Sequence, residues 1–149
     1  MSAILPETGT KVKVEVDTSE IDKCLSSIDS DIFSPVVDIF NDLKKTIEDG
    51  ANSVADNVAE SIKSYQEMWI IQNKTIDTGQ MIGTLFVEPS AQNEYNVGPT
   101  ALSERGFPYP LVIEMGSSKY KGKPFVEPSI QNVEKDIGNI VQKEIINRI

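Results

Sequence analysis

Hydrophobic residues recur every three or four positions over a long segment that begins at Ser34. Ser34 is a favourable N-cap and Pro35 suits the first helical position, so the pattern predicts a helix that starts there. A helix of about 35 residues is roughly 50 Å long. Gly50 is its weak point, and we predict a continuous or bent helix there, with a helix–turn–helix as the alternative. The apolar stripe comprises Val37, Phe40, Leu43, Ile47, Ala51, Val54, Val58, Ile62, Tyr65 and Trp69.

The segment before this helix carries a different pattern. Lys11–Asp17 alternates strictly between valine and charged residues, which predicts a half-buried strand. Thr18–Ser27 fits a short helix capped by Thr18, with Cys24 as a small core residue. Met1–Thr10 shows no period and is predicted to be a loose terminus.

Strand and turn signals follow the long helix. Asp77-Thr78-Gly79 predicts the end of the helical half of the chain. Thr84–Pro89 and Glu94–Gly98 are predicted as two strands joined by a hairpin loop over Ser90–Asn93. Leu111–Met115 is apolar but too short to assign from its period.

The last part of the chain contains loops and a final helix. Pro99–Pro110 and Gly116–Gly122 are predicted as loops and Pro124–Val126 as a brief extended piece, after which Pro128 opens a helix at the first helical position. Its apolar positions are Ile130, Val133, Ile137, Ile140, Val141, Ile145 and Ile149. The elements predict a single α+β domain over residues 1–149, in which the long N-terminal helix and the C-terminal helix pack on one face of a small, mainly antiparallel sheet.

The composition removes several classes of function. The 149 residues include no histidine and one cysteine, which excludes histidine-based catalysis, an intrachain disulfide and a cysteine-rich zinc site. Fourteen basic and 23 acidic residues give a formal net charge of −9, which disfavours general binding to nucleic acid. No apolar run reaches the roughly 18 residues of a membrane span, and the polar start lacks signal-peptide blocks. We therefore expect a protein that is cytoplasmic when made and has no membrane partner.

One short string contains a cluster of cations. Between Gly116 and Lys123, lysines at 119, 121 and 123 surround Tyr120. A phosphate-binding loop is excluded because five residues separate the glycines and Pro124 replaces the required hydroxyl residue. A solvated loop is the favoured interpretation of the string. As a functional alternative it could contact nucleic acid or acidic groups of a neighbouring subunit, and the overall negative charge favours the protein contact. No grouping of acids is spaced for catalysis or metal binding, so we predict no enzyme activity, no cofactor and no metal.

Three short segments occur in an order that resembles a known family. They are Thr78-Gly79-Gln80-Met81, then Tyr109–Ser117, then Lys123–Ser129. They resemble the Thr-Gly-x-Leu, Tyr-Ala-x-x-Val-Glu-x-Gly-Thr and Arg-Pro-Phe-Leu-x-Pro-Ala segments of the minor structural proteins that join head to tail, or complete the tail, in long-tailed bacteriophages. The similarity covers about a third of the chain. Departures from the family pattern include Ile82 for Arg, Pro110 for Ala, Ser117 for Thr, Lys123 for Arg and Ser129 for Ala. The predicted strand and short helix over Lys11–Ile28 have no counterpart in the family.

The resemblance implies a ring-forming, non-enzymatic subunit of a phage or prophage virion, similar to tail-completion and tail-terminator proteins. Its partners would be other copies of itself, about six in a ring, and neighbouring neck or tail proteins. DNA would pass through without specific binding, consistent with the acidic charge. The protein would assemble in the bacterial cytoplasm and end in the neck or tail of the virion.

The resemblance also divides its residues into two groups. Residues expected to carry the fold are Thr78, Gly79, Glu114, Gly116, Pro124, Phe125 and Pro128. Gly116 would permit a positive φ or a close backbone approach, and Phe125 would enter the core beneath the last helix. The loops Pro99–Pro108 and Gly116–Lys123 would carry subunit contacts. The candidate contact residues are Arg105, Phe107, Tyr109, Lys119, Tyr120, Lys121 and Lys123.

Two other classes of function compete with this hypothesis. A soluble cytoplasmic adaptor or inhibitor module would use the long helix to fill the groove of a protein partner. An enzyme would need a carboxylate pair or a lysine brought together by the fold, and no local spacing in the sequence supplies one.

Overall fold

A computed structural model describes residues 11–19, 34–75, 78–101, 103 and 109–148. The elements in chain order are β1 (Val12–Glu15), α1 (Ser34–Gln72), α2 (Thr78–Gly83), β2 (Leu85–Ala91), β3 (Glu94–Pro99), α3 (Tyr109–Met115), α4 (Val126–Glu144) and a final 3₁₀ turn (Ile146–Arg148). The predicted loose terminus, Cys24, Arg105 and Phe107 lie outside the described residues, as does the predicted short helix beyond Ser19.

The fold class is α+β, as predicted. The three strands form an antiparallel sheet in the order β1-β3-β2, and the long helices α1 and α4 pack on it. Val12 lies opposite Val97 on β3, and Val87 of β2 lies opposite Val97 on its other side. The alternation predicted for β1 is confirmed because Val12 and Val14 are buried while Glu15 is exposed.

The hairpin between β2 and β3 is also confirmed, with slightly longer strands than predicted. Its tip is held on α1 by Asn52, whose Oδ1 accepts a hydrogen bond of 3.1 Å from the Asn93 backbone N–H. The same side chain lies 3.3 Å from the Tyr95 hydroxyl, to which its amide donates. Asn93 adopts a φ of 60°, which asparagine tolerates better than most residues.

Helix α1 runs without interruption through Gly50, which confirms the prediction of a continuous helix. A Cβ at Gly50 would lie 2.7 Å from the backbone oxygen of Glu144, so glycine lets the end of α4 approach the helix closely. Ala51, Ala55 and Ala59 are completely buried, and their spacing of four residues places them on one face of α1. The predicted stripe is buried or half-buried from Ala51 to Trp69.

The approach at Gly50 gives a testable result. Gly50→Ala is expected to destabilise the protein by about 1–2 kcal/mol, because a methyl group there displaces the backbone at Glu144 and the packing cost exceeds the gain in helix propensity. Gly138 is the matched control, since it lies in α4 with open space around its missing Cβ. Gly138→Ala is expected to stabilise by about 0.5–1 kcal/mol. Urea denaturation measures both, and two changes of the same sign would contradict the explanation.

Helices α1 and α4 run antiparallel and are joined by a ladder of polar pairs. From one pair to the next, the residue number increases by four or eight between Ser53 and Asn73 while that of the partner decreases by four or eight between Arg148 and Pro124. The contacts therefore define one antiparallel register. The pairs are Ser53–Arg148, Asn57–Glu144, Tyr65–Asp136, Trp69–Asn132 and Asn73–Pro124, with donor–acceptor distances between 2.8 and 3.3 Å. The hydrogen bond that Tyr65 donates to Asp136, together with the charge of that carboxylate, raises the pKa of the Tyr65 hydroxyl.

Two short helices replace structure predicted otherwise. The helical half of the chain does not end at Thr78-Gly79, because these residues begin α2. The Thr78 hydroxyl donates a hydrogen bond of 2.7 Å to the Thr75 backbone oxygen, which ties the beginning of α2 to Thr75. Leu111–Met115, left unassigned by its period, belongs to α3, which begins at Tyr109 and therefore shortens the predicted loop Pro99–Pro110.

The start of the last helix was predicted two residues too late. Val126 already belongs to α4, and Phe125, with φ −133° and ψ −24°, is not extended. The predicted extended piece at Pro124–Val126 is therefore wrong in its last two residues. Pro128 occupies the third helical position, where its missing N–H costs nothing because the first turn has no partners inside the helix. The buried face of α4 includes Val133 and Ile140, as its period predicted.

Candidate functional site

The carboxylate of Glu114, in α3, is hydrogen-bonded to the backbone at the beginning of α4. Its Oε2 accepts hydrogen bonds from the backbone N–H groups of Phe125 at 2.7 Å and Val126 at 2.9 Å. Its Oε1 accepts a third, from the N–H of Glu127, at 3.1 Å. Phe125 is the N-cap of α4 and its side chain supplies no capping hydrogen bond, so a side chain from another helix does so. The negative charge of Glu114 also interacts favourably with the positive end of the α4 helix dipole.

Glycine at 116 is required by the turn that follows Glu114. Gly116 has a φ of +80°, and a Cβ there would lie 2.6 Å from the Gly122 nitrogen and 2.9 Å from the Tyr120 oxygen. Both parts of the expectation from the sequence, a positive φ and a close backbone approach, are therefore met. The turn starts the segment Gly116–Lys123, which we call the lysine loop.

The lysine loop is closed by its own backbone. The backbone N–H of Ser117 donates a hydrogen bond of 2.8 Å to the backbone oxygen of Tyr120. The backbone N–H of Lys123 donates one of 2.6 Å to the backbone oxygen of Ile113 in α3. Tyr120 packs against the core, and its hydroxyl is buried without a partner among the described residues. The loop therefore has a fixed shape, set by main-chain contacts at both ends and by an inward-facing ring.

The lysines of the loop have different surroundings. Lys119 and Lys121 are exposed. Lys123 is half-buried, and its Nζ lies 3.5 Å from the backbone oxygen of Lys74 beyond the end of α1. Tyr109, the remaining contact candidate in the described chain, is half-buried at the start of α3. Its hydroxyl donates a hydrogen bond of 2.8 Å to Oε1 of Gln80 in α2.

The residues that the resemblance assigned to the fold have different surroundings. Phe125 is completely buried, and the adjacent Pro124 is exposed with its carbonyl bonded to Asn73. Gly79 is exposed, with nothing within 4 Å of an added Cβ. The Tyr109–Gln80 contact and the Glu114 hydrogen bonds connect α2, α3 and α4, so all three motif segments belong to one continuous part of the structure.

A groove of about 600 Å³ lies between the end of α3 and the first turns of α4, and we call it the α3–α4 groove. Its apolar lining includes Met115, which is 68% exposed, and the partly buried Ile130. Glu127 and Glu134 provide exposed carboxylates along the α4 side. The groove is suited to side chains that combine an apolar stem with a positively charged end group.

A second groove, of about 200 Å³, lies between β1, α1 and α4. Apolar side chains form most of its lining, including Val16, Val54 and Val141, with Glu15 at its edge. Another unusual group is Gln66 on α1, which is completely buried with both amide atoms unpaired in the described structure. Neither feature brings together groups that could transfer a proton or act as a nucleophile.

The sequence did not reveal the capping role of Glu114, the α3–α4 groove or the ladder of polar pairs. No local signal for the cap was available, because Pro128 predicts a helix that begins two residues later than α4 does. Phe125 stands out as a poor N-cap only once the start of α4 is known. The acceptor, Glu114, lies 11 residues before Phe125 in the sequence, and the lysine loop brings the two residues together. The groove depends on how two helices meet and has no local signature.

Among the residues that the structure describes, no group of three or more acidic or cysteine side chains is placed to hold a metal ion. In the same residues, no helix combines the length and apolar character needed to span a membrane. No family model matches the chain, and no curated protein or solved structure matches it.

Proposed function

We propose that this chain is a structural subunit of a phage or prophage virion, which completes the tail or joins head to tail as a ring-forming protein without enzymatic activity. It assembles in the bacterial cytoplasm and becomes part of the neck or tail. Its partners are other copies of itself and the neighbouring neck or tail proteins, and DNA passes through the ring without specific binding.

The observation that carries the proposal is the contact between two of the motif segments. Glu114 belongs to the segment that resembles Tyr-Ala-x-x-Val-Glu-x-Gly-Thr, and its carboxylate binds the backbone at Phe125 in the segment that resembles Arg-Pro-Phe-Leu-x-Pro-Ala. Three residues of these strings have a physical task at their own positions. Gly116 makes the turn, Glu114 caps the helix and Phe125 fills the core. The resemblance is therefore supported by a reason for the order and spacing of its residues.

The charge of the protein supports the same role. A net charge of −9 repels a phosphate backbone, and a passage for DNA needs a surface to which DNA does not adhere. The exposed lysines of the lysine loop are separated by only one residue, so they form a local patch suited to contact with acidic protein groups.

Deletion of the gene in the phage or prophage that encodes this chain tests the proposal. We expect negative-stain microscopy to show full heads and separate or unfinished tails, with few joined particles. Expression of the wild-type chain from a plasmid should restore joined particles, and a stop codon early in the plasmid copy is the matched control. Normal yields of joined, infectious particles without the protein would contradict the proposal.

An adaptor that binds a partner through α1 is the second candidate function. Met68 and Ile71 favour it, since they lie three residues apart near the end of α1 and are 41% and 54% exposed. The deletion experiment separates the two candidates, because loss of an adaptor leaves heads and tails joined. A double substitution of Met68 and Ile71 by serine then tests whether this helix face binds a protein partner.

A further inference from the structure

We infer that the lysine loop of one copy of this chain docks in the α3–α4 groove of a second copy. The inference rests on the proposed ring-forming role and deepens it by naming the two surfaces through which copies meet. Each copy carries both surfaces, so the contact repeats from one copy to the next or is exchanged between two copies.

The groove has the properties of a protein contact. Met115 is one of four large hydrophobic residues that are exposed in the described part of the chain, and it lies in the groove lining. Ile130 continues the apolar surface, while the carboxylates of Glu127 and Glu134 remain exposed. An apolar floor with acidic sides fits lysine side chains, whose methylene stems cover apolar surface while the ammonium groups meet carboxylates.

The lysine loop presents the complementary chemistry in a fixed form. Lys119 and Lys121 are exposed on either side of Tyr120, which holds the loop against the core. Within the described residues, ion pairs at 4 Å or less involve neither these two lysines nor Glu127 and Glu134. The charges on both surfaces are therefore available for a contact between copies. A loop that is already ordered loses little conformational freedom on docking.

The choice of a second copy as occupant follows from charge complementarity. Copies of a chain with a net charge of −9 repel each other at long range, so self-association needs a local region of opposite charge. The lysine loop has three lysines within five residues and lies directly between α3 and α4, whose ends form the groove. Matching positive and negative patches fix the orientation of such a contact and suppress others.

A charge-exchange experiment with the full-length chain tests the inference. The first variant is Lys119→Glu with Lys121→Glu, and the second is Glu127→Lys with Glu134→Lys. Sedimentation velocity is expected to show each variant alone associating at least about tenfold more weakly than the wild type, because like charges then face each other. An equimolar mixture should associate within about threefold of the wild type, since each altered surface meets its opposite. Wild-type association should weaken as salt rises from about 0.05 to about 0.5 M.

The matched control is Lys45→Glu with Lys135→Glu, which changes the net charge by the same amount at exposed positions elsewhere on α1 and α4. This variant should associate at low salt more strongly than the loop variant. Recovery in the mixture also shows that both partners are folded. A wild-type chain that stays monomeric, variants that associate like the wild type, or a mixture without recovery would each overturn the inference. Loss of binding to a different virion protein only, with self-association unchanged, assigns the groove to that protein and also overturns it.

The failure of this inference is distinguishable from failure of the proposed function. If the mixture does not recover and the deletion still leaves heads and tails separate, the virion role stands and the contact between copies lies elsewhere. If the mixture recovers and the deletion leaves joined particles, the self-docking surfaces stand and the virion role is wrong.

Discussion

Replacement of Phe125 by alanine is expected to lower the free energy of unfolding by about 3–5 kcal/mol, as for other fully buried phenylalanines. The Phe125 side chain is completely buried in the hydrophobic core at the beginning of α4. Its loss removes apolar surface from the core and leaves a cavity that rigid neighbours fill only in part. Urea denaturation monitored by circular dichroism measures the change in the free energy of unfolding. The slope of that free energy against urea concentration is compared between the variants.

Met115→Ala is the control for Phe125→Ala. Met115 is also a large apolar residue in the same region, but it is 68% exposed. Its replacement is expected to change the free energy of unfolding by no more than about 0.5 kcal/mol. Equal effects of the two substitutions would show that Phe125 does not belong to the core.

The long elements could be predicted from the sequence because their patterns are local and extend over many residues. Alternating valines predicted β1, and the apolar stripe that includes Val54, Val58 and Ile62 predicted α1. The prediction at Gly50 was also correct, although its physical reason was not visible. A glycine in mid-helix indicates weakness, whereas this one admits the backbone of Glu144.

The short helices could not be predicted because they contain too few residues for a period. Helix α2 has six residues, of which two are glycines, and its first residue, Thr78, is hydrogen-bonded to Thr75. Helix α3 has seven residues and carries a proline at its second position. Contacts with other elements therefore decide these helices, among them the bond from Tyr109 to Gln80.

The start of α4 shows why a correct signal can give a wrong boundary. Proline at 128 favours the first helical position, but any of the first positions accepts it because their N–H groups have no partner within the helix. The helix begins earlier because Glu114 supplies an acceptor to the N–H groups of Phe125 and Val126. A contact between residues 11 positions apart thus sets a boundary that local signals do not.

Features of the candidate site that depend on a single residue type could be predicted from the sequence. Features that depend on how helices and loops pack together could not. Gly116 was expected to permit an unusual backbone, and its φ of +80° agrees. The lysine loop was visible as a cluster of charges, but the inward position of Tyr120 was not. The α3–α4 groove arises only when Met115 and Ile130, from two helices, are brought side by side.

Replacement of Glu114 by alanine is expected to lower the free energy of unfolding by about 2–4 kcal/mol. Three backbone N–H groups at the beginning of α4 lose their acceptor, two of them in partly buried surroundings. Loss of an ordinary N-cap costs about 1 kcal/mol, and a buried donor left without a partner adds about 1–3 kcal/mol. The helix dipole also loses a nearby negative charge. Urea denaturation gives the magnitude, as for the core variants.

Two further variants separate capping by Glu114 from a general effect of charge. Glu114→Gln keeps one acceptor oxygen of the same reach and is expected to show about half of the loss. Glu134→Ala removes an exposed carboxylate from α4 and is expected to change stability by no more than about 0.5 kcal/mol. Hydrogen exchange supplies the local measurement: the amides of Phe125, Val126 and Glu127 should exchange faster in Glu114→Ala than in Glu134→Ala. Equal exchange at these amides would mean that α4 begins without the help of Glu114, and the physical account of the motif order would fail with it.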